Sequence, residues 1–424
     1  MAGSAFTAAD APHLLKRTDG AGRPAAVESS EVVPVAMPEY YEFYHPTKVM
    51  FGAGLKEDIG AEAEAVGGTK VMLLTDKGIL GAGLVDTVRD SLENSEVDLV
   101  QVYSDIPVNS EVEVCKEIAA IGRENEVDCL VSIGGGSVID TAKGVNILLG
   151  VGGDLLEDWQ GTYLVPQPLK HHIAIPTTAG TGAEVSLGAV IKHTPGGVKV
   201  TFNSKYLLPD VAVLDPTLTT SLPPFLTAAT GIDALTHAVE AFTSLEHQPP
   251  SDAFCTYAIQ AIFENLPRAF EDGSDLEARG AMLVAANLAG SALSHTLSIG
   301  ACHAMAHAAG GLSPVSHGVA NAIILPSVMR FNCEAAVDRF AALAPFVGIN
   351  ASGMSEAETA VSVVDSIASF IASFGLPKTL KEVGADPSLA ERMAEEAMGD
   401  GQMYGNPREA EYEEILGLYR DLLP

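Results

Sequence analysis

Short apolar runs alternate with amphipathic stretches in the first half of the chain. Compact runs such as Val71–Thr75 are typical of buried strands, whereas the apolar positions between the runs recur at helical spacing. This alternation predicts a parallel sheet with helices on both faces. The predicted strands are Val71–Thr75, Val97–Tyr103, Asp128–Ile133, Ile173–Thr177 and Val211–Asp215, and the predicted helices are Leu84–Leu92, Glu111–Glu124 and Ser137–Leu149.

Two other patterns divide the chain. Ala189–His193 and Val198–Phe202 flank Thr194–Gly197, which predicts a hairpin with a Pro-Gly turn. After about Pro216 the short runs give way to long Ala- and Leu-rich helical patterns. A ligand would fit best in the cleft between two such halves. The predicted parts are a mobile N-terminal extension over residues 1–37, an α/β domain with a parallel sheet over 38–216 and an all-α domain over 217–424.

Charge and cysteine content narrow the classes of function. The 55 acidic and 24 basic side chains give a formal net charge of −31 at pH 7, which argues against nucleic acids and anionic membranes as partners. We find no apolar run long enough to cross a bilayer and no hydrophobic core of a signal peptide in the sequence. The five cysteines include no CxxC pair, which favours a reducing compartment. A cytoplasmic protein is therefore expected.

A glycine-rich turn is the first candidate site. Gly134-Gly135-Gly136-Ser137 follows a predicted strand and opens a predicted helix. Glycines allow a pyrophosphate to approach the backbone, and a helix N-terminus offers free N–H groups. The turn lacks the GxGxxG spacing, so a tight strand–helix connection is the alternative. A second loop of small hydroxyl residues, Pro176–Gly182, also follows a strand and favours a phosphate or cofactor site.

Asp76 stands at the end of the strand Val71–Thr75. A carboxylate at that position can accept hydrogen bonds from a ribose hydroxyl and repel a 2′-phosphate. The alternative is an N-cap of the next helix.

Histidines form the second candidate site. Asp233 and His237 are four residues apart in a helical pattern, so both project from one face. That pair could hold a divalent metal or could form only a hydrogen bond on a helix surface. His303 and His307 have the same spacing, and His317 follows a turn. Burying histidines in a segment so rich in Ala, Gly and Met costs free energy unless the imidazoles are hydrogen-bonded or bind a metal.

Asp233, His237, His303 and His317 together would supply one carboxylate and three imidazoles, which suit Fe(II), Zn, Co, Ni or Mn. His307 would then be free to move protons. Glu240, one helical turn beyond His237, could support a ligand or could be a solvated carboxylate. We interpret Cys302 as a small core residue.

Four motifs in order make the chain similar to the iron-containing (group III) alcohol dehydrogenase family. They are GGGSVIDTAKG (Gly134–Gly144), IPTTAGTGAE (Ile175–Glu184), TAATGIDALTHAVEAF (Thr227–Phe242) and HAMAHAAGGLSPVSHGVANAIILP (His303–Pro326). The resemblance runs from about Tyr44 to the end and includes Asn406-Pro407-Arg408.

The resemblance implies a dinucleotide-binding α/β domain, a helical metal-binding domain and hydride transfer between a small primary alcohol or its aldehyde and a nicotinamide cofactor. It implies NAD, with NADP as the alternative, and Fe(II), with Zn(II) as the alternative, in a homo-oligomer. The implied metal ligands are Asp233, His237, His303 and His317, the implied proton carrier is His307, and the implied cofactor-binding residues are Asp76, Gly135, Gly136, Ser137, Asp140, Thr177, Thr178 and Thr181.

Some positions depart from the family pattern. Ile106–Ser110 stands where relatives often carry a Pro-Asn-Pro-Thr-like stretch, Ala183 stands where serine is frequent, and the small loop Ala309–Ser316 lacks the aromatic residues of some relatives. The substrate therefore stays open. Two alternatives also stay open: a metal- and NAD-dependent lyase of the dehydroquinate synthase-like type, and a nucleotide- and metal-binding assembly protein without catalysis.

Overall fold

The computed structural model describes residues 40–193, 198–296 and 298–424. The predicted extension over residues 1–37 and the predicted turn Thr194–Gly197 lie outside these ranges. The strands are β1 (Lys48–Phe51), β2 (Lys70–Leu74), β3 (Asp98–Tyr103), β4 (Cys129–Gly134), β5 (Gly161–Thr162), β6 (His171–Pro176), β7 (Gly188–His193), β8 (Val198–Asn203) and β9 (Val211–Leu214).

Helices fill the spaces between these strands and most of the chain after β9. They are α1 (Ile59–Ala65), α2 (Lys77–Gly81), α3 (Asp86–Glu93), α4 (Val112–Glu124), α5 (Gly136–Gly150), α6 (Pro224–Thr243), α7 (Pro249–Glu271), α8 (Leu276–Thr296), α9 (Ala301–Leu312), α10 (His317–Asn332), α11 (Val337–Ala342), α12 (Glu356–Ser373), α13 (Ala390–Met398) and α14 (Tyr412–Leu422).

The main sheet has six strands in the order β1-β9-β6-β4-β2-β3, and every neighbouring pair is parallel. This confirms the predicted parallel sheet and the five strands expected in it. Strand β1 was not predicted, because it is a short edge strand whose Val49 and Phe51 are exposed. Its apolar run, Val49–Phe51, is only three residues long.

The order of the strands indicates that a ligand binds at the end of the sheet where the parallel strands have their carboxyl ends. From β2 the chain runs to β3 on one side, and it then crosses to β4, β6 and β9 on the other side. The loops after β2 and β4 therefore diverge at their carboxyl ends. In open parallel sheets, ligands bind in the crevice that such a divergence creates.

Both faces of the central strands are covered, which explains their continuous apolar sequence. All six residues of β4 are buried. Helix α5 follows directly and buries nearly its whole length, including Val138, Ala142 and Val145. The turn between β4 and α5 is therefore held by two buried elements.

A small second sheet contains the predicted hairpin. Strands β7 and β8 pair antiparallel from Gly188–Asn203 to His193–Val198, and β5 adds to β8 in parallel. The two hairpin strands were predicted, whereas the two-residue β5 is too short to leave a pattern in the sequence.

The second half of the described chain, from α6 onward, is helical, as predicted. Its core is rich in alanine, with α6, α7 and α8 packed against one another, because small side chains allow close helix approach. Within the described ranges no single helix is long and apolar enough to cross a membrane. Helices α8 and α9 meet these length and composition criteria only when taken together, and the pair is bent by 101° at its junction.

His172 on β6 is a buried histidine that should make stability depend on pH. Its Nε2 lies 2.8 Å from the Ser132 hydroxyl, and burial, with a smaller effect of the Lys143 charge, lowers its pKa from 6.5 to about 3. Between those two values the unfolded chain binds one more proton than the folded chain, so stability is lost as pH falls through this window. When the pH is lowered from 7 to 5, the free energy of unfolding of the parent should fall by roughly 2 kcal/mol more than that of His172→Gln.

Urea denaturation at the two pH values measures this difference. His171→Gln is the matched control, because His171 is the preceding residue on the same strand and is partly exposed; it should lose no less stability than the parent. Equal losses in His172→Gln and the parent would contradict the prediction.

Candidate functional site

A cavity of about 720 Å³ lies where the carboxyl ends of β2, β4 and β6 face α6, α9 and α10. Such a volume is in the range of small-molecule and cofactor sites. Every site residue proposed from the sequence lines this cleft: Asp76, Gly135, Gly136, Ser137, Asp140, Thr177, Thr178, Thr181, Asp233, His237, His303, His307 and His317.

The glycine-rich turn joins β4 to α5 in the way that the sequence predicts. Gly135 is extended at the N-cap, and the helix begins at Gly136. A Cβ on Gly136 would lie 2.7 Å from Cγ2 and 2.9 Å from Oγ1 of Thr181. The turn and the threonine loop after β6 therefore touch, and only glycine fits at this contact.

Ser137 connects this turn to the loop after β3. Its hydroxyl accepts the N–H of Asn109 at 3.1 Å, and its carbonyl accepts the hydroxyls of Ser110 and Thr141. Asn109 has a φ of 64° and lines the cleft. The segment that departs from the family pattern is thus fixed over the glycine turn.

Asp76 caps the helix that follows β2, as the alternative interpretation expected, and the structure also places it at the cleft. Its Oδ1 accepts the N–H groups of Gly78 at 2.7 Å and Ile79 at 2.9 Å, so it caps α2. The residue also lines the cleft. One oxygen is used for the cap, and the carboxylate still contributes negative charge to the wall of the cleft.

Asp140 and Lys143 brace the cleft from inside α5. The Asp140 Oδ2 accepts the N–H of Val190 at 3.1 Å, and burial raises the pKa of this carboxyl to about 6. The buried Lys143 Nζ donates to the carbonyls of Ser186 at 2.6 Å and Gly188 at 2.7 Å, and burial lowers its pKa to about 8. Lys143 was not found from the sequence, although a lysine within an apolar helix was a usable signal.

The threonine loop is also clamped to the helical half. Gly182 has a φ of 59°, and a Cβ there would lie 2.6 Å from the Cα of Gly290 on α8. Nearby, the buried Glu184 accepts a hydrogen bond from Asn287 at 3.0 Å. These contacts fix the loop after β6 relative to the helices that carry the histidines.

Four side chains converge at the bottom of the cleft. Asp233 and His237 come from α6, His303 from α9 and His317 from the start of α10, and each offers a ligand atom within 4.8 Å of the others. The His237 and His303 rings stack with centroids 4.5 Å apart, and the His303 and His317 centroids are 5.3 Å apart. The set contains one carboxylate and three imidazoles, which suits a divalent transition metal.

The amide of Asn321 marks the point toward which these acceptors face. Its Nδ2 donates to Asp233 Oδ1 at 2.6 Å and lies 3.3 Å from both His303 Nε2 and His317 Nε2. Three acceptor atoms thus share one donor group that carries only two hydrogens. A divalent cation satisfies such a group of acceptors better, so the residues present fit a metal.

The protonation states also fit a metal. Burial lowers the pKa of His303 to about 3 and that of His237 to about 4, and it holds the pKa of His317 well below 6.5. The three imidazoles are therefore neutral at physiological pH. Neutral imidazole is the form that binds metal ions.

Glu240 holds His303 in place, which decides between the two interpretations of this residue. It is 3% exposed, so it is not a solvated carboxylate. Its Oε2 accepts His303 Nδ1 at 2.5 Å, which leaves Nε2 directed to the other ligands. Its two oxygens also accept the N–H groups of Cys302 at 2.7 Å and His303 at 3.1 Å. A carboxylate behind a ligating imidazole fixes its tautomer and orientation.

The Asn406-Pro407-Arg408 motif supports the same helix. The Asn406 Oδ1 accepts the N–H of Ala301 at 3.1 Å, and its amide exchanges hydrogen bonds with Asn332 on α10. The first N–H groups of α9 are therefore satisfied by side chains distant in the sequence. The motif positions His303 without contacting the ligand cluster.

His307 lies beside the cluster and has a partner of its own. Its Nδ1 is 2.8 Å from Asp400 Oδ2, and its ring stacks on that of His317 with centroids 5.3 Å apart. A smaller cavity of about 170 Å³ lies behind it and shares His307 and Lys199 with the main cleft. Asp400 was not found from the sequence, because it is 93 residues from its partner.

Comparisons with known proteins identify a family over almost the whole described chain. A family model described as iron-containing alcohol dehydrogenase matches residues 46–216, and a model of the C-terminal part of that family matches residues 227–423. The 1,3-propanediol dehydrogenase of Citrobacter freundii is 37% identical over 90% of this chain and 98% of its own length.

Two other similar proteins are also alcohol-converting oxidoreductases by name. The NAD-dependent methanol dehydrogenase of Bacillus methanolicus is 34% identical over 90% of this chain and 99% of its own. A crystal structure of a 1,3-propanediol oxidoreductase superposes with a TM-score of 0.87 at 36% identity, covering 90% of this chain and all of that one.

Proposed function

The chain belongs to the iron-containing alcohol dehydrogenase family, and from this premise we propose that Asp233, His237, His303 and His317 hold its catalytic metal. The chain is an oxidoreductase that transfers a hydride between an alcohol or its aldehyde and a nicotinamide cofactor. The single observation that carries the metal proposal is the convergence of four ligand atoms within 4.8 Å at the bottom of the cleft. We propose Fe(II), in line with the family name, and Zn(II) as the alternative, because both accept this ligand set.

A divalent metal at this position would act as a Lewis acid toward the substrate oxygen. The chain's own contribution is to keep three imidazoles neutral, to fix the tautomer of His303 through Glu240 and to exclude water from a cleft walled by apolar residues such as Ile299 and Leu293. These residues orient the alcohol carbon toward the cofactor, and orientation of this kind is a large part of enzymatic rate enhancement.

The cofactor would lie along the carboxyl ends of the strands. The N–H groups at the start of α5 and the glycine turn suit its pyrophosphate, and Ser137, Asp140, Thr177, Thr178 and Thr181 line the same path. Asp76 would accept hydrogen bonds from the adenosine ribose. A negative charge there disfavours a 2′-phosphate, so we propose NAD as the cofactor. The similar methanol dehydrogenase of Bacillus methanolicus is NAD-dependent, which supports this choice.

His307 would take the proton that leaves the alcohol. Asp400 holds its Nδ1, so its Nε2 is the atom left to exchange a proton within the cleft. The smaller cavity behind the His307 ring, which Lys199 also lines, offers a route for water.

We also propose a domain organisation and a cellular compartment for the chain. We infer a boundary near residue 216 between the α/β domain and the helical metal-binding domain, preceded by the extension over residues 1–37. All five cysteines are buried and free, which supports a reducing compartment such as the cytoplasm. Edge strand β1, with Val49 and Phe51 exposed, supports assembly with another copy. The comparisons do not favour the lyase alternative.

An assay of alcohol-dependent NADH formation tests the function. Purified protein would be supplied with NAD and a panel of short primary alcohols and diols, and the reverse reaction would be run with the aldehydes. The proposal requires turnover of at least one alcohol and its aldehyde. Nucleotide binding without turnover across the panel would favour the non-catalytic alternative.

Replacing Asp76 tests the proposed preference for NAD. In Asp76→Ser the hydroxyl can still cap α2, but the negative charge is gone. We expect the ratio of kcat/KM for NADP to that for NAD to rise at least about tenfold, because the repulsion of the 2′-phosphate is removed. Asp98→Ser, at the opposite end of the sheet on β3, is the matched control and should keep the parent ratio. An unchanged ratio in Asp76→Ser would contradict the role of this carboxylate.

A further inference from the structure

Gln402 is a polar side chain of the cleft that has no part in the proposed mechanism. Gln402 lines the cleft together with Ile299, His303 and His307. It belongs to a 3-10 turn that begins just after Asp400. Its position beside the ligand cluster, rather than along the cofactor path, makes it a candidate for contact with the substrate.

The Asp400 carboxylate fixes where the backbone of Gln402 lies. Its own N–H donates to Asp400 Oδ1 at 2.8 Å, and the other oxygen of the same carboxylate binds His307 Nδ1 at 2.8 Å. One carboxylate thus holds the proposed proton carrier and the backbone of Gln402 together. Gln402 thus shares its supporting carboxylate with His307 and lines the same cleft as the ligand cluster.

A third hydrogen bond fixes the orientation of the Gln402 amide. Its Oε1 accepts the N–H of Ile299 at 3.0 Å, in the turn that leads into α9. An N–H group can only donate, so the oxygen must face Ile299 and the NH₂ group must face away from it. The Nε2 has no hydrogen-bond partner within the part of the chain that the structure describes, whereas the oxygen has one.

The residues that α8 and the turn before α9 add to that wall offer the substrate little polarity. Ile299 and Leu293 are apolar, and the Ser294 hydroxyl is already bonded to the carbonyls of Val185 and Gly290 and to the N–H of Leu187. The NH₂ of Gln402, unpaired among the described residues, is thus a donor beside this apolar part of the wall. A site built with such a donor discriminates against substrates that leave it unpaired.

We propose that Gln402 selects alcohols that carry a second hydrogen-bond acceptor, such as diols and hydroxy ethers, over alkyl alcohols of the same size. The proposal rests on the proposed function, since it assumes oxidation of an alcohol at the histidine cluster. The two donor hydrogens of the amide meet the far oxygen of the substrate while its first oxygen reacts. A cationic far end has no acceptor to offer and is disfavoured by the same group.

Pairs of equal-sized substrates test the selection. The measured quantity is the ratio of kcat/KM for 1,3-propanediol to that for 1-butanol, and likewise for 2-methoxyethanol to 1-butanol. We expect both ratios to exceed one in the parent protein and to fall at least about tenfold in Gln402→Leu. Gln260→Leu, on the outer face of α7 and bonded to Glu264, is the matched control and should keep the parent ratios.

Gln402→Glu separates recognition from structure. A carboxylate retains an acceptor for the Ile299 N–H but replaces the donor with a second acceptor. The ratio for 2-methoxyethanol, which can only accept, should fall at least about tenfold, while 1,3-propanediol, which can also donate, should keep more of its advantage. Protonated 3-amino-1-propanol should become a better substrate than it is for the parent. This variant serves the test even if Gln402→Leu fails to fold.

The outcomes distinguish the inference from its premise. Ratios that stay within about twofold of the parent in both variants, with alcohols still oxidised, overturn the role of Gln402 and leave the dehydrogenase function intact. A parent ratio below one has the same meaning. Absence of turnover for every alcohol in the panel, diols included, overturns the proposed function and this inference together.

Discussion

Replacement of His303 by alanine is expected to release the metal and to lower kcat/KM for alcohol oxidation on the order of 1,000-fold, equivalent to ~4 kcal/mol. His303 connects α9 to both ligands on α6, and Glu240 fixes its orientation. Without this imidazole, three groups remain around a position designed for four. Elemental analysis of the purified variant and steady-state kinetics measure the two effects.

Two variants give this experiment its scale. Glu240→Gln keeps all four ligands but weakens the support of His303, so we expect a loss of about 10- to 100-fold in metal affinity. His171→Ala, a partly exposed histidine on β6 outside the cluster, should retain metal and activity. An unchanged metal content and rate in His303→Ala would show that the cluster is not the metal site.

Gly136→Ala is expected to weaken the binding of NAD by about 100-fold, because a methyl group at that position displaces the loop after β6. The added Cβ would lie 2.7 Å from Thr181 Cγ2 and 3.1 Å from Thr181 Cβ. Overpacking at such a contact costs roughly 1–3 kcal/mol, and the displaced backbone is the part of the turn that would receive the pyrophosphate. Titration of protein fluorescence or calorimetry with NAD measures the loss.

The matched control for that change is Gly81→Ala. Gly81 ends α2 on the same side of the sheet, does not line the cleft, and has nothing within 4 Å of an added Cβ. This variant should bind NAD as the parent does. Gly136→Ala should remain folded by circular dichroism, so that a loss of NAD affinity can be assigned to the turn. Parent-like affinity in a folded Gly136→Ala would remove the turn from the cofactor site.

The central strands of the sheet were predictable because burial on both faces requires continuous apolar runs. Strands β2, β4, β6 and β9 all have such runs. The edge strand β1 and the short strand β5 were missed, since one is exposed and the other has two residues. These two strands are held by pairing with neighbours that are distant in the sequence.

The proposed ligands could be recognised from the sequence because Asp233 and His237 have helical spacing, and His303 and His317 lie in a histidine-rich segment of otherwise small residues. Their supports could not be recognised in the same way. Asp400 and Gln402 join the site from 93 and 103 residues away, by single hydrogen bonds to His307 and Ile299. Glu240 could be weighed but not assigned, because only the packing of α6 against the start of α9 shows that its carboxylate is buried.

The contact of Gly136 with Thr181 also depends on the fold. Sequence alone gave two loops of small residues after two strands, and it could not show that these strands, β4 and β6, are neighbours. Once the strand order is known, the glycine and the threonine must meet at the carboxyl ends. Topology therefore turned two separate motifs into one proposed binding site.

The central claim is that one metal bound by the four converging side chains is required for alcohol oxidation. The most direct test strips anaerobically purified protein with a chelator, returns Fe(II) or Zn(II) in steps, and measures bound metal and alcohol-dependent NADH formation at each step. The account predicts that the rate rises in proportion to bound metal, reaches its maximum at one metal per chain, and does not recover in His303→Ala. Full activity in the metal-free protein, or recovery in His303→Ala equal to that of the parent, would contradict it.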